Sequence, residues 1–105
     1  MQIQINTDSN IVGNDRLAQQ VEAVVRDALD RFSAQITRVE VHLSDENSDK
    51  KVGTGDKRCL LEARLAGLQP ISVRYQAATL EQAVDGGVEK LKRSLDSTLG
   101  RLGKR

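Results

Sequence analysis

The residues of this chain best suited to chemistry are cations near its end that recur at helical spacing. Lys90, Arg93, Arg101 and Lys104, with Ser97 in the same row, fall within a narrow arc of a helical wheel. Ammonium and guanidinium groups aligned in this way can contact the phosphates of a nucleic acid. A solvated helix face would show the same spacing, so the pattern alone leaves both interpretations open.

A helix over residues 79–102 is needed to position these cations, and the apolar residues of the same segment predict one. The apolar residues recur every three or four positions, as on one buried helix face: Leu80, Val84, Val88, Leu91, Leu95, Leu99 and Leu102. Thr79-Leu80-Glu81-Gln82 matches a capping box, in which the threonine hydroxyl accepts a hydrogen bond from an amide three residues on. Gly86 and Gly87 interrupt the helix, and the sequence leaves open whether they permit a close approach between the two helices or a bend.

Alternation of polar and apolar residues predicts four strands. They lie at about residues 2–5, 36–43, 59–65 and 71–76. In this register Cys59 and Tyr75 point inward and His42 points outward. The polar segment 44–57 is expected to be a long hairpin connection, since it holds Gly53 and Gly55.

A first helix is predicted over residues 15–32, where apolar residues follow helical spacing after a polar turn. Asn14 or Asp15 can cap it. The order of elements is therefore β-α-β-β-β-α, and each element is apolar on one side. This order favours an α+β fold in which both helices pack on one face of a four-stranded sheet.

The composition is that of a small globular protein. With 105 residues, 38% hydrophobic and 30% charged, the chain is expected to form one domain. Aromatic residues make up 2%, too few for a protein that stacks nucleic-acid bases on aromatic rings. The net charge is only +1, so attraction to nucleic acid depends on the cations concentrated from Lys90 onward. Because no secretion signal and no membrane-spanning run occur, we expect a cytoplasmic protein without a membrane partner.

Catalysis and metal binding are not expected. Cys59 is the single cysteine, which excludes an internal disulfide, and its inward register favours a small core residue. His42 is the single histidine and has no nucleophile or base beside it in the sequence. The acidic residues of segment 44–57 do not follow calcium-loop spacing, and its glycines lack the phosphate-loop pattern. We therefore expect no enzyme activity, no cofactor and no metal.

Five segments, taken in order, resemble the ribosome hibernation-promoting factor and ribosome-associated inhibitor A family, also called sigma-54 modulation or ribosomal subunit interface proteins. The segments are residues 1–11, 17–32, 36–43, 78–85 and 89–95. The most specific part is the start of the last helix followed by Glu89-Lys90-Leu91-Lys92-Arg93-Ser94-Leu95. The resemblance implies a fold similar to double-stranded-RNA-binding domains. It also implies binding of small-subunit rRNA near the decoding channel, where occupancy silences translation during stress or stationary phase.

The resemblance assigns RNA binding by position. The basic residues of the last helix and its extension come first: Lys90, Lys92, Arg93, Arg101, Lys104 and Arg105. Three outward arginines of the open sheet face are weaker candidates, for which a solvated surface fits equally well: Arg38, Arg64 and Arg74. Asp96, Ser97 and Leu99 occupy positions that are often basic in the family, which predicts weaker or more salt-sensitive binding.

Two hypotheses follow. In the first, residues 1–105 form a single ribosome-binding domain that occludes the small subunit. DNA is not expected as a partner, and a ribosome-dimerising partner protein is a further candidate. In the alternative, the chain is a protein-interaction or regulatory module that retains the fold with weakened RNA binding.

Overall fold

The computed structural model describes residues 1–8, 11, 15–45 and 57–103, with side chains up to Arg101. The elements are β1 (Gln2–Thr7), α1 (Asp15–Ala28), a 3₁₀ helix (Asp30–Phe32), β2 (Ile36–Asp45), β3 (Lys57–Leu65), β4 (Ile71–Ala77) and α2 (Leu80–Gly103). The predicted α+β fold with the order β-α-β-β-β-α is confirmed.

The four strands form one mixed sheet in the order β1-β2-β3-β4. β1 runs parallel to β2, because α1 crosses between them, whereas β3 and β4 each pair antiparallel to the preceding strand. Successive side chains alternate between the two sheet faces, so one face packs on both helices and the other is open.

The core lies between the inner sheet face and the apolar stripes of the two helices. Val39, Val41 and Leu61 of the sheet are fully buried, as are Val25 of α1 and Leu91 of α2. Removing this apolar surface from water supplies the main drive for folding. Cys59 lies fully buried in the same layer, as its register predicted.

The first helix is shorter than predicted. α1 ends at Ala28, Leu29 leaves the helical conformation with φ −102° and ψ 10°, and a 3₁₀ turn follows. Leu29 and Phe32 are both buried. A helix with three residues per turn places both of these side chains on the same side, which an α-helix does less well. The candidate cap Asn14 and most of the predicted hairpin connection, residues 46–56, lie outside the described residues.

The two glycines of α2 permit a close approach between the helix and the sheet. A Cβ atom at Gly87 would lie 2.7 Å from Cδ1 of Leu61, and one at Gly86 would collide with the Tyr75 ring. Tyr75 has the predicted inward register, but it lies at the outer edge of the sheet and remains 41% exposed. Both glycines therefore face strands and not the other helix, so the close approach between helices that the sequence suggested as one alternative is not what they permit.

Candidate nucleic-acid interface

α2 begins at the capping box that the sequence predicted. The Gln82 N–H donates a hydrogen bond of 3.1 Å to the Thr79 hydroxyl, which satisfies one of the free amides of the first turn. The buried residues Val84, Val88 and Leu91 then hold one side of the helix against the sheet. This packing fixes the rotation of α2 about its axis, and with it the direction of every exposed side chain.

The cations of α2 form a row on the flank that adjoins β4. We call Lys90, Arg93, Ser97 and Arg101 the cationic ridge; all four residues are exposed. At about 1.5 Å per residue the ridge is roughly 16 Å long. It is therefore long enough to lie along several nucleotides of a folded RNA.

The ridge cations are not paired with carboxylates of the described residues. The Lys90 ammonium donates to the backbone oxygen of Arg74 at 3.0 Å, and Arg101 donates to the Ser97 hydroxyl at 2.7 Å. Arg93 has no hydrogen bond or ion pair with any residue that the structure describes. The ridge therefore keeps its full positive charge for an external anion.

Nearby carboxylates are held on the other flank of α2. Asp96 accepts two hydrogen bonds of 2.9 Å from the Arg31 guanidinium, a bidentate pair. These hydrogen bonds lower the pKa of the Asp96 carboxyl below its ordinary value and raise the pKa of Arg31. Arg31 also lies 4.2 Å from the centre of the Phe32 ring, which helps to orient the guanidinium. Sequence analysis did not predict this role for Arg31, because its partner lies 65 residues away.

Lys92 does not join the ridge. It lies two residues beyond Lys90, about 200° around the helix, and its side chain is 29% exposed. Its ammonium lies 3.4 Å from the Glu89 carboxylate, one turn before it. The candidate at Lys92 is therefore partly neutralised and directed away from the other candidates.

Two of the three sheet candidates have carboxylate partners on their own strands. Arg38 pairs with Glu40 at 3.1 Å, and Arg64 pairs with Glu62 at 3.5 Å. Arg38 lies opposite Arg64, and Glu40 lies opposite Glu62, so the four side chains form one cluster without net charge. His42 lies 3.4 Å from the same Glu40. This part of the open face is less suited to binding phosphates than the ridge is.

Arg74, the third sheet candidate, lies beside the ridge. Its side chain is exposed on β4, and its backbone oxygen is the group that Lys90 contacts. Arg74 lines a shallow groove of about 450 Å³ across the open face, together with Asn6, His42, Arg58 and Leu60. Arg58 was not among the candidates from the sequence, because the predicted third strand began one residue later, at Cys59. Lys104 and Arg105 lie outside the described residues.

Reactive and metal-binding groups are not assembled in the part of the chain that the structure describes. Burial raises the pKa of the Cys59 thiol to about 12, so the thiolate needed for nucleophilic chemistry does not form near neutral pH. No three His, Cys, Asp or Glu side chains among the described residues are placed to hold a metal ion. Neither helix of the described chain is long and apolar enough to cross a membrane.

Solved structures share this fold, and two of them cover almost the whole chain. The N-terminal domain of Protein Y from Thermus thermophilus superposes with a TM-score of 0.73 at 21% identity, covering 93% of this chain and 99% of that one. A ribosomal subunit interface protein from Coxiella burnetii superposes with a TM-score of 0.71 at 17% identity, covering 95% and 99% of the two chains. No curated protein matches the chain by sequence.

The family is established by the sequence itself. The chain belongs to the sigma 54 modulation protein / S30EA ribosomal protein family, whose model matches residues 3–102. This result confirms the family that the sequence resembled. The family is one of ribosome-associated modulation proteins.

Proposed function

We propose that this chain binds the rRNA of the small ribosomal subunit near the decoding channel and silences translation by occlusion. It would act in the cytoplasm as a single ribosome-binding domain, during stress or in stationary phase. The observation that carries the proposal is the cationic ridge, whose charges are free of carboxylate partners among the described residues.

The chemistry of the ridge suits folded RNA. Lysine and arginine side chains contact phosphate oxygens without reading bases, and each contact releases counterions bound to the RNA. The chain has few aromatic residues to stack on bases, so recognition would rest on shape and phosphate position. Occupying a channel requires no catalytic step, which agrees with the buried, unreactive thiol of Cys59.

A specific observation also favours the alternative, a regulatory module with weakened RNA binding. Arg38, Arg64 and Lys92 are each paired with one of the protein's own carboxylates. An RNA phosphate would have to displace these carboxylates. The proposal therefore depends on the ridge and Arg74 more than on the full set of predicted cations.

Reversing the ridge charges tests the proposal. In the double variant Lys90→Glu, Arg93→Glu, two attractive contacts with phosphate become repulsive. We expect affinity for purified small subunits to fall by about 100-fold, because each lost phosphate contact costs on the order of tenfold. Sedimentation through sucrose gradients at low salt, with inhibition of translation in a cell-free system, provides the two measurements.

A charge-matched control separates the ridge from net charge. The double variant Arg16→Glu, Lys92→Glu changes the net charge equally, but both residues lie away from the ridge. This control should co-sediment with small subunits and inhibit translation as the unmodified protein does. Equal loss in both double variants would show that only net charge matters. Absence of the unmodified protein from ribosomal fractions at low salt would favour the regulatory module.

A further inference from the structure

The two edges of the sheet differ in how they are protected. β1 and β4 are the outer strands. At the β4 edge Lys90 bonds the backbone oxygen of Arg74, and a lysine beside an edge strand discourages pairing with another chain. β1, with the sequence Gln-Ile-Gln-Ile-Asn-Thr, has no charged residue, no proline and no glycine.

The register of β1 shows which of its backbone groups face outward. The Asp8 N–H donates to the Leu43 oxygen of β2 at 3.1 Å. In a parallel pair, each residue directs both its N–H and its C=O to one side of the strand, and the side alternates along the chain. Because Asp8 bonds to β2, the other even-numbered residues of β1 also bond to β2. The N–H and C=O groups of Ile3, Ile5 and Thr7 therefore point away from the sheet. None of the described residues bonds to these groups.

We propose that the β1 edge binds a second copy of this chain through antiparallel strand pairing. The symmetric register places Ile5 opposite the partner's Ile5, and Ile3 opposite the partner's Thr7. Each such pair exchanges two backbone hydrogen bonds and so uses the outward groups. A pairing of this kind is self-complementary, as a two-fold symmetric interface requires.

The side chains beside the edge fit the same register. On the open face, Gln4 lies opposite the partner's Asn6. Both side chains are neutral amides, so no like charges oppose each other across the interface. Above the edge, α1 carries Glu22 and Arg26, which pair at 2.8 Å, and Arg26 reaches the Met1 oxygen at 3.5 Å. Because these two charges already pair within one copy, neither leaves an unpaired charge beside the partner strand.

The pairing does not depend on the proposed ribosomal function. The cationic ridge adjoins β4, at the opposite edge of the sheet, and would remain exposed on both copies. A dimer of this type therefore presents two ridges. If the protein does not dimerise, RNA binding by a single copy is unaffected.

Cysteine cross-linking tests the register directly. Directly opposed residues that do not exchange hydrogen bonds have Cα atoms about 4.5 Å apart, within the range of a disulfide. A mixture of the Gln4→Cys and Asn6→Cys variants should form a disulfide-linked dimer under mild oxidation. Each variant alone should not, because identical positions lie diagonally, roughly 7 Å or more apart. Cys59 is fully buried and will not compete. No cross-link in the mixture, or equal cross-linking by either variant alone, would overturn the proposal.

A proline pair tests the interface in solution. Thr7→Pro removes an outward N–H of β1 without breaking the β1–β2 ladder. Ser72→Pro is the matched control. The Arg74 oxygen points away from the sheet toward Lys90, and Ser72 lies two residues earlier on β4, so the Ser72 N–H also points away from the sheet. In sedimentation velocity over about 10–500 µM, we expect the unmodified protein and Ser72→Pro to dimerise alike. Thr7→Pro should weaken dimerisation by about tenfold or more, with an unchanged circular dichroism spectrum. A protein that remains monomeric over this range, or equal effects of the two prolines, would reject the β1 edge as a dimer interface.

Discussion

The two flanks of α2 carry similar charged side chains but differ in what surrounds them. On the flank away from β4, Lys92 and Asp96 have partners of opposite charge in Glu89 and Arg31. On the ridge flank, Lys90 and Arg101 bond to neutral oxygens. Helical spacing therefore identifies candidate cations for RNA binding. The positions of the carboxylates determine which of these cations are unpaired and can contact a phosphate.

The open sheet face supports the same conclusion. Arg38 and Arg64 face outward as the sequence predicted, yet Glu40 and Glu62 neutralise them. Arg74 is exposed and lies next to the ridge. Orientation alone did not distinguish these three arginines, and the assignment of RNA binding to any of them stays a prediction.

The packing of α2 on the sheet directs its two flanks, and a substitution at Gly87 should disturb that packing. A methyl group at Gly87 would meet the fully buried Leu61 at 2.7 Å. We expect Gly87→Ala to lower the free energy of unfolding by about 1–2 kcal/mol, since overpacking outweighs the gain in helix propensity. Urea denaturation followed by circular dichroism measures the change.

Gly86→Ala is the matched control for this prediction. Its neighbour Tyr75 is 41% exposed and can swing toward solvent. We therefore expect a change within about 0.5 kcal/mol, because the gain in helix propensity offsets the lost contact. Equal destabilisation by the two alanines would contradict the difference that we draw between a buried and an exposed neighbour.

A substitution at Arg31 should reduce the difference between the two flanks of α2, with a smaller expected effect. Arg31→Ala frees the Asp96 carboxylate, which lies three residues from Arg93 on α2 and can then pair with it. We expect ribosome affinity to fall by about two- to fivefold. The double variant Arg31→Ala, Asp96→Asn should restore affinity, because no free carboxylate remains. Failure of the second substitution to restore binding would contradict a role for Arg31 in keeping the ridge unpaired.

The pH dependence of the Arg31–Asp96 pair gives the smallest effect. The hydrogen bonds from Arg31 lower the pKa of Asp96 in the folded protein, so the pair stabilises the fold above the pKa of Asp96 in the unfolded chain. This contribution is lost as the pH falls through the lowered pKa of the folded state. The difference in melting temperature between the unmodified protein and Asp96→Asn should therefore shrink toward acidic pH. A difference that grows on acidification would show that the sign is wrong.

Local patterns predicted most of the fold because they depend on neighbours in the chain. The period of Leu80, Val84 and Val88 gave α2, and Thr79 marked its start correctly. The end of α1 was wrong because the tertiary packing of Leu29 and Phe32 favours a tighter turn there. Gly86 and Gly87 could be recognised as unusual, but their partners Tyr75 and Leu61 come from other strands.

The candidate site was harder to predict for the same reason. Helical spacing identified the ridge, and it also shows that Lys92 lies on another flank. By contrast, Arg31 reaches Asp96 from the 3₁₀ helix that follows α1, and Lys90 reaches Arg74 across the sheet edge. Contacts between distant segments leave no local pattern, so the sequence could not separate paired cations from unpaired ones.

The salt dependence of binding to purified small subunits tests the central claim most directly. If the unpaired ridge cations contact phosphates, the logarithm of the binding constant falls linearly with the logarithm of salt concentration. Replacing Lys90 and Arg93 together by glutamine should reduce that slope by about 2, while replacing Arg38 and Arg64 should leave it nearly unchanged. Equal slopes for the unmodified protein and the Lys90→Gln, Arg93→Gln variant would contradict the account.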